Sequence, residues 1–124
     1  MNKQLTTNFI SFRDKYSHNE RKIESGNILH KYPGKIPVIC EKLKNTKNMP
    51  NISKTKFLVS RDLTIGQFIY IIRKFISVHQ NTALFLFIGD IIPPTSAYIS
   101  DIYNIYKDTD GFLYITFSTE NTFG

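Results

Sequence analysis

Few side chains in this 124-residue sequence are of the kinds that do chemistry, and their spacing does not combine them into a site. The three histidines, His18, His30 and His79, stand far apart, and none has a carboxylate or a cysteine at a metal-ligand spacing. The sequence contains neither a glycine-rich phosphate loop nor a Gly-x-Ser-x-Gly motif. These absences predict a protein without a bound metal or cofactor.

The remaining candidates have simpler structural explanations. The single cysteine, Cys40, lies within an apolar run, which favours a buried and unreactive thiol over a nucleophile. Asp108 and Asp110 could ligate a cation, but a turn before a strand explains the pair better. The sequence therefore predicts no catalytic site, and we expect that the protein is not an enzyme.

Composition favours one small domain in a reducing compartment. At 14.4 kDa the chain has room for a single hydrophobic core, and one cysteine rules out an internal disulfide. The sequence has no apolar run of the ~18–20 residues that cross a membrane, and its N-terminus lacks the apolar core of a secretory signal. A cytoplasmic location is expected.

The charge is unevenly distributed along the chain. Residues 1–63 contain 13 lysines and arginines and 5 acidic residues, whereas residues 64–124 contain 3 and 5. The N-terminal half is therefore net +8 and the C-terminal half −2, within a total of +6. An acidic partner for the N-terminal half and a lysine-rich surface that only faces solvent are both compatible with this asymmetry.

Hydrophobic periodicity predicts four helices that would position any binding surface. The first is short, is capped by Thr7 and has apolar residues at positions 9, 12 and 16. The second extends from about His18 to Lys31. The third, at 65–75, begins at a capping box formed by Thr64 and Gln67 and has a wide apolar stripe. The fourth follows a Pro-Pro break at 93–94 and is capped by residue 95 or 96.

Four apolar runs predict the strands, at 36–40, 56–60, 83–88 and 112–117. Pro37 favours an edge position or a strand start for the first, and the continuous run 83–88 is typical of a central strand. The first run is apolar on both faces, so one face is left for another element or for a partner. The order of elements predicts an α+β fold in which one sheet packs on a central helix.

Six strings in collinear order between residues 28 and 124 indicate a family. They are Lys35-Ile-Pro-Val-Ile-Cys-Glu-Lys42, Phe57-Leu-Val59, Asp62-Leu-Thr-Ile-Gly-Gln-Phe68, Pro93-Pro-Thr95, Lys107-Asp-Thr-Asp-Gly-Phe-Leu-Tyr114 and Glu120-Asn-Thr-Phe-Gly124. In these strings the sequence resembles the autophagy-related ubiquitin-like modifiers, relatives of the gamma-aminobutyrate-receptor-associated proteins and of microtubule-associated light chain three.

The resemblance implies a ubiquitin-like β-grasp fold, a four-stranded mixed sheet on a central helix, with two extra N-terminal helices. It divides the single domain into an N-terminal helical extension at 1–32, the β-grasp core at 33–118 and a flexible conjugation tail at 119–124.

The resemblance also implies that the protein is conjugated. The family is joined through a C-terminal glycine to phosphatidylethanolamine, so Gly124 is implied as the lipid-conjugation site and Phe123 as a residue by which enzymes recognise the tail. The implied partners are ubiquitin-type activating and conjugating enzymes, a processing or deconjugating cysteine protease and phosphatidylethanolamine membranes. The protein would be cytoplasmic and membrane-associated when lipidated, on autophagosomes or related vesicles. A chain that ends in this glycine is expected to be either conjugation-ready or already processed.

The family binds peptides of cargo receptors and scaffold proteins that have the form aromatic-x-x-aliphatic. By position, the implied aromatic pocket consists of Glu24, Ile28, Pro37, Ile39, Lys56, Leu58 and Phe112. The implied aliphatic pocket consists of Phe57, Val59, Leu63, Phe68 and Ile71. Lys35 and Arg73 would contact the acidic residues that flank such peptides. Ordinary core packing is the alternative for each apolar member, and it is favoured for Phe68.

The sequence departs from the family pattern beside this groove. Lys35 stands where an arginine is usual, Ser60 where a proline is frequent, and Phe75 where a basic residue is common. These departures leave the peptide preference open.

A second function stays open at this point. The chain could be an unconjugated basic β-grasp adaptor that binds acidic polymers, such as tubulin tails or nucleic acid, through its +8 half. Steep salt dependence of binding would mark this adaptor, and modification at Gly124 would mark the modifier.

Overall fold

The computed structural model describes residues 10–44 and 49–120, which form a mixed four-stranded sheet with helices on both faces. The strands are β1 (Lys35–Lys42), β2 (Lys56–Ser60), β3 (Phe85–Phe87) and β4 (Leu113–Ser118). Their order across the sheet is β2-β1-β4-β3. β1 is antiparallel to β2 and parallel to β4, and β3 is antiparallel to β4. The α+β prediction is confirmed.

The helices are α1 (Phe12–Lys15), α2 (His18–Lys31), α3 (Ile65–Ile72) and α4 (Ile99–Tyr106), and a 3₁₀ turn (Arg73–Phe75) extends α3. The predicted span of α2 is confirmed, and so is the capping box of Thr64 and Gln67 at the start of α3. A second capping box, of Ser17 and Glu20, starts α2. Each box satisfies backbone N–H groups that a helix start leaves without partners.

Two predicted helix starts differ from the structure. Thr7 lies outside the described residues, and the hydroxyl of Ser11 accepts the hydrogen bond that caps α1. α4 begins after Tyr98 without a side-chain cap, so the predicted cap at residue 95 or 96 is wrong. The segment before α4 is instead bound to α3: Ile65 N–H donates to the Ala97 carbonyl and Gly66 N–H to the Thr95 carbonyl, each at 2.9 Å.

Two strand placements are also corrected. β1 is an inner strand, so the edge alternative for Pro37 is wrong, although Pro37 does lie near the strand start, before pairing with β4 begins at Val38. The run 83–88 yields β3, which is short and lies at an edge instead of the centre. Its apolar residues are buried all the same: Leu86 is 2% exposed and packs in the main core.

The two faces of the sheet are covered by different parts of the chain. The main core lies between the sheet and α3, where Phe68 and Ile72 are fully buried against the β1 side chains of Ile36 and Val38. On the other face, α1 and α2 contribute Phe12 and Ile28 to a second cluster, whose sheet residues are Ile39 and Phe112. The leftover apolar face of β1 is therefore covered by the chain's own N-terminal helices.

A buried polar network fastens α2 to the turn before β4. The Asp110 carboxylate is 0% exposed and accepts hydrogen bonds from the Arg21 guanidinium and the Tyr114 hydroxyl, both at 2.5 Å. The Ser25 hydroxyl of α2 donates to the Asp110 carbonyl at 2.5 Å. Gly111 has φ +94°, and a Cβ there would overlap the Ser25 hydroxyl. This close fit sets the position of α2 over the sheet.

Candidate functional site

Among the described residues no strand pairs with the outer side of β2, so β2 forms an open edge of the sheet and presents backbone groups to an incoming chain. Cys40 N–H donates to the Thr55 carbonyl at 2.8 Å, and Arg61 N–H donates to the Gly34 carbonyl at 3.2 Å. Hydrogen-bonded and non-hydrogen-bonded pairs alternate along an antiparallel ladder. The backbone N–H groups of Lys56, Leu58 and Ser60 therefore point away from β1, toward the open edge.

The same alternation places Pro37, which has no N–H, opposite Leu58 in a pair that needs no hydrogen bond.

Side chains alternate along β2 in the same way. Phe57 and Val59 are buried in the main core, while Lys56, Leu58 and Ser60 are exposed. Leu58 is an apolar side chain that keeps 37% of its surface exposed on this edge. An exposed leucine beside outward-facing backbone groups is what a strand-adding peptide would contact.

A cleft of about 270 Å³ lies along β2 and collects most of the predicted aliphatic-pocket residues. Its lining residues are Lys35, Lys54, Phe57, Leu58, Val59, Ser60, Leu63, Ile71 and Phe75. Phe68 is not among them, because it is fully buried and packs edge-on against the Phe57 ring, with centroids 5.6 Å apart. It supports the cleft from behind.

The predicted aromatic-pocket residues divide between a surface pair and a buried floor. Glu24 of α2 and Lys56 of β2 form an ion pair that joins the two elements at the surface. Ile39 and Phe112 are each 0% exposed, and Ile28 is 9% exposed in the same cluster. Pro37 is buried as well. Leu58 and the Glu24–Lys56 pair are thus the parts of this set that an arriving peptide would meet first.

The two residues predicted to contact acidic flanks lie in different surroundings. Lys35 lines the cleft, as a flank contact would require. The Arg73 guanidinium donates to the Thr82 carbonyl at 2.5 Å, so it fastens the end of α3 to the segment before β3. A cation that the sequence interpretation missed, Lys54, lies over the rings of Phe57 and Phe75, with its Nζ 5.1 and 5.4 Å from their centroids. The sequence offers one signal for Lys54 as a binding residue, namely a lysine within a polar loop.

Several side chains of the types that can catalyse reactions have structural partners. Cys40 is fully buried, so the prediction of a buried thiol is confirmed, and burial raises the pKa of this thiol, which disfavours the nucleophilic thiolate. The ring of His18 lies 3.1 Å from the Thr109 hydroxyl, and Asn81 N–H donates to His79 Nδ1 at 3.1 Å. Asp108 pairs with Arg13 at 3.0 Å. Within residues 10–44 and 49–120 no three histidine, cysteine or acidic side chains are grouped to hold a metal ion.

The predicted conjugation residues, Phe123 and Gly124, lie outside the described residues, which end at Glu120. In the part of the chain that the structure describes, none of the helices is long and apolar enough to span a membrane.

The fold is that of a ubiquitin-like protein with a helical extension. α3 packs on the face of the sheet that forms the main core, and the N-terminal helices α1 and α2 pack on the other face. The family model described as "Autophagy protein Atg8 ubiquitin like" matches residues 20–124. This chain belongs to the Atg8 family of autophagy ubiquitin-like proteins.

Individual relatives agree with the family assignment. Autophagy-related protein 8 of Schizosaccharomyces pombe is 53% identical over 113 residues, which cover 91% of this chain and 93% of the relative. A crystal structure of Trypanosoma brucei ATG8 superposes with a TM-score of 0.84 at 37% identity, covering 94% of this chain and all of that one. Plasmodium falciparum Atg8, solved in complex with a P. falciparum Atg3 peptide, gives a TM-score of 0.80 at 35% identity, with coverage of 91% and 98%.

Proposed function

We propose that this protein is a conjugated autophagy modifier and not an enzyme: Gly124 becomes joined to phosphatidylethanolamine, and the open β2 edge then recruits aromatic-x-x-aliphatic peptides of cargo receptors and scaffold proteins. The protein would be cytoplasmic before conjugation and bound to autophagic membranes after it. Membership of the Atg8 family supports both halves of this proposal.

The conjugation step needs an activated carboxyl group on this chain and an enzyme to supply the activation. A conjugating enzyme would hold the Gly124 carbonyl as a thioester. The amine of phosphatidylethanolamine attacks that carbonyl, the amide bond forms, and the cysteine thiolate of the enzyme leaves. Glycine suits this step because the absence of a Cβ leaves the carbonyl open to a bulky amine. The P. falciparum relative solved with an Atg3 peptide supports a conjugation enzyme as a partner.

The observation that carries the peptide-binding half is the open edge of β2 beside an apolar cleft. Outward-facing backbone groups at Lys56, Leu58 and Ser60 would pair with an added strand, and the cleft would hold one of its side chains. Lys35 and Lys54 at the cleft give it positive charge, which suits the acidic residues of such peptides. Two anchoring side chains and a few backbone hydrogen bonds support a dissociation constant in the micromolar range, which corresponds to a binding free energy of about −7 to −8 kcal/mol.

Conjugation is tested by incubating the full chain with its activating and conjugating enzymes and phosphatidylethanolamine liposomes. We expect a lipid adduct on the wild-type chain, a sharply reduced yield for Gly124→Ala and none for the chain that lacks Gly124. The same adduct on the chain without Gly124, seen by mass spectrometry, would refute the proposed attachment site.

Peptide binding is tested by calorimetric titration of Leu58→Arg with one acidic aromatic-x-x-aliphatic peptide. The arginine would place a charge against an apolar anchoring side chain of the peptide, which should weaken binding by about 2 kcal/mol or more. Ile105→Arg is the matched control, because Ile105 is 69% exposed on α4 and does not line the cleft. If Leu58→Arg stayed folded and bound as tightly as the control, and binding fell steeply with salt, the basic-adaptor alternative would be favoured instead.

A further inference from the structure

The cleft beside β2 has an aromatic wall. The rings of Phe57 and Phe75 meet edge to face, with centroids 5.4 Å apart and an interplanar angle of 76°. Phe68 continues this arrangement behind Phe57, at 87°. Phe75 belongs to the 3₁₀ turn after α3, and this turn places the Phe75 ring against Phe57 of β2. Because Phe57 keeps only 4% of its surface exposed and Phe75 is half-buried, the aromatic surface at this end of the cleft is mainly that of Phe75.

A lysine lies over the same two rings. The Lys54 ammonium is within about 5.5 Å of both centroids, which is the range of a cation–π contact. Lys54 is exposed, and Lys35 is the other charged residue that lines the cleft. The lining residues include no carboxylate, so the cleft carries positive charge without an internal counter-charge.

Ring geometry and charge together favour one kind of occupant. An aliphatic side chain in this cleft would gain burial only, whereas an aromatic side chain would also contact the half-buried ring of Phe75 in a favourable edge-to-face arrangement. A carboxylate next to that side chain in the peptide would lie within reach of Lys54 and could pair with it.

We propose that Phe75 determines specificity in this cleft, so that the protein prefers acidic peptides whose second anchor is aromatic, with a carboxylate beside that anchor for Lys54. This inference rests on the proposed peptide-binding function and refines it: aliphatic second anchors still bind, but an aromatic residue at that position binds more tightly. The first anchor is the aromatic residue of the proposed peptide, which still adds as a strand to the open edge of β2.

The test compares peptides that differ only at the second anchor, which is leucine, phenylalanine or alanine. With the wild-type protein, the phenylalanine peptide should bind about two- to tenfold more tightly than the leucine peptide, which is the range of an aromatic pair contact. The alanine peptide should bind most weakly, because it leaves the cleft empty. This comparison needs no variant of the protein and so does not depend on any variant's folding.

A variant then assigns the preference to Phe75. Phe75→Leu keeps an apolar side chain but removes the ring, so the phenylalanine preference should vanish while affinity for the leucine peptide stays within about twofold. Tyr106→Leu is the control, because Tyr106 is a partly exposed aromatic of α4 that does not line the cleft, and its substitution should leave the preference intact.

The outcomes separate this inference from the function on which it rests. If the leucine peptide bound as tightly as the phenylalanine peptide or more tightly, the specificity inference would be overturned and the peptide-binding function would stand. A phenylalanine preference that persisted in Phe75→Leu would equally overturn the role of Phe75. Failure of all three peptides to bind would overturn the proposed function and this inference with it.

Discussion

Replacing Asp110 with asparagine should destabilise the fold by about 3 kcal/mol, because Asp110 is the buried acceptor that fastens α2 to the sheet. Its carboxylate accepts hydrogen bonds from Arg21 and Tyr114, each at 2.5 Å, and from Phe112 N–H at 2.8 Å. Asparagine has the same shape but only one accepting oxygen, and its amide group would face at least one of these donors. The change also leaves the Arg21 charge without its partner.

The magnitude follows from the burial of the two partners. Removing one charge of a buried ion pair costs about 3–5 kcal/mol. The lower end applies here, because the Arg21 side chain keeps 12% exposure and its Nε also donates to the Tyr16 carbonyl at 3.2 Å. With a urea m-value of roughly 1.5–2 kcal/mol/M, the unfolding midpoint should fall by about 1.5–2 M. The assay is urea unfolding followed by circular dichroism.

The neighbouring ion pair supplies the control. Arg13 of α1 pairs with Asp108 in the same turn at 3.0 Å, but the Arg13 side chain is 51% exposed. Arg13→Gln should therefore cost about 1 kcal/mol or less, even with the loss of its contact over the Tyr114 ring. If Asp110→Asn lost no more stability than Arg13→Gln, the claim that burial makes the Asp110 network decisive would be refuted.

The pH dependence of the same variant has a definite sign. Burial alone would raise the pKa of Asp110, but hydrogen bonds from Tyr114, Phe112 N–H and Arg21 outweigh burial and hold that pKa below the ordinary value of 3.8. A lowered pKa in the folded state contributes stability that is present above 3.8 and is lost as the pH falls through the folded pKa. The stability difference between wild type and Asp110→Asn should thus shrink below pH 3.8.

Two further substitutions test the packing of α1 and α2 on the sheet. Gly111→Ala should destabilise by several kcal/mol (roughly 2–4) in the same urea assay, because φ is +94° and the new Cβ would overlap the Ser25 hydroxyl; an unchanged midpoint would contradict this fit. Glu41→Gln should be neutral or stabilising by up to about 1 kcal/mol at pH 7, because burial raises the pKa of Glu41 while an amide oxygen can still accept Phe12 N–H. A raised pKa in the folded state means that ionised Glu41 destabilises the fold relative to protonated Glu41. The stability gained by Glu41→Gln should therefore disappear below pH 4.5. A clear loss of stability at pH 7 would contradict this explanation.

Local features of the fold were predictable because their causes are local. The bounds of α2 and the capping box at Thr64 and Gln67 depend on residues within one or two helical turns of each other. The alternation of buried and exposed side chains along β2 follows in the same way from its period of two. Residues that signal structure to near neighbours can be interpreted from the sequence alone.

Features that depend on distant residues were not predictable from the same patterns. An apolar run such as 83–88 has the same composition at an edge as at the centre when other elements cover it, so β3 was misplaced. The turn at 108–111 was predicted, but its ion pair was not, because Arg21 and Asp110 are 89 positions apart. The resemblance likewise implied that Arg73 contacts acidic residues that flank a peptide. It did not indicate that the Arg73 guanidinium donates to the Thr82 carbonyl.

The central structural claim, that a peptide adds as a strand to the open edge of β2, is tested most directly by amide hydrogen exchange measured residue by residue. In the free protein, the outward-facing N–H groups of Lys56, Leu58 and Ser60 should exchange faster than those of Phe57 and Val59, which face β1. A saturating acidic aromatic-x-x-aliphatic peptide should slow exchange at Leu58 and at one or both of its outward-facing neighbours, and leave Phe57 and Val59 little changed. Unchanged exchange at Leu58 with the peptide demonstrably bound would contradict the account.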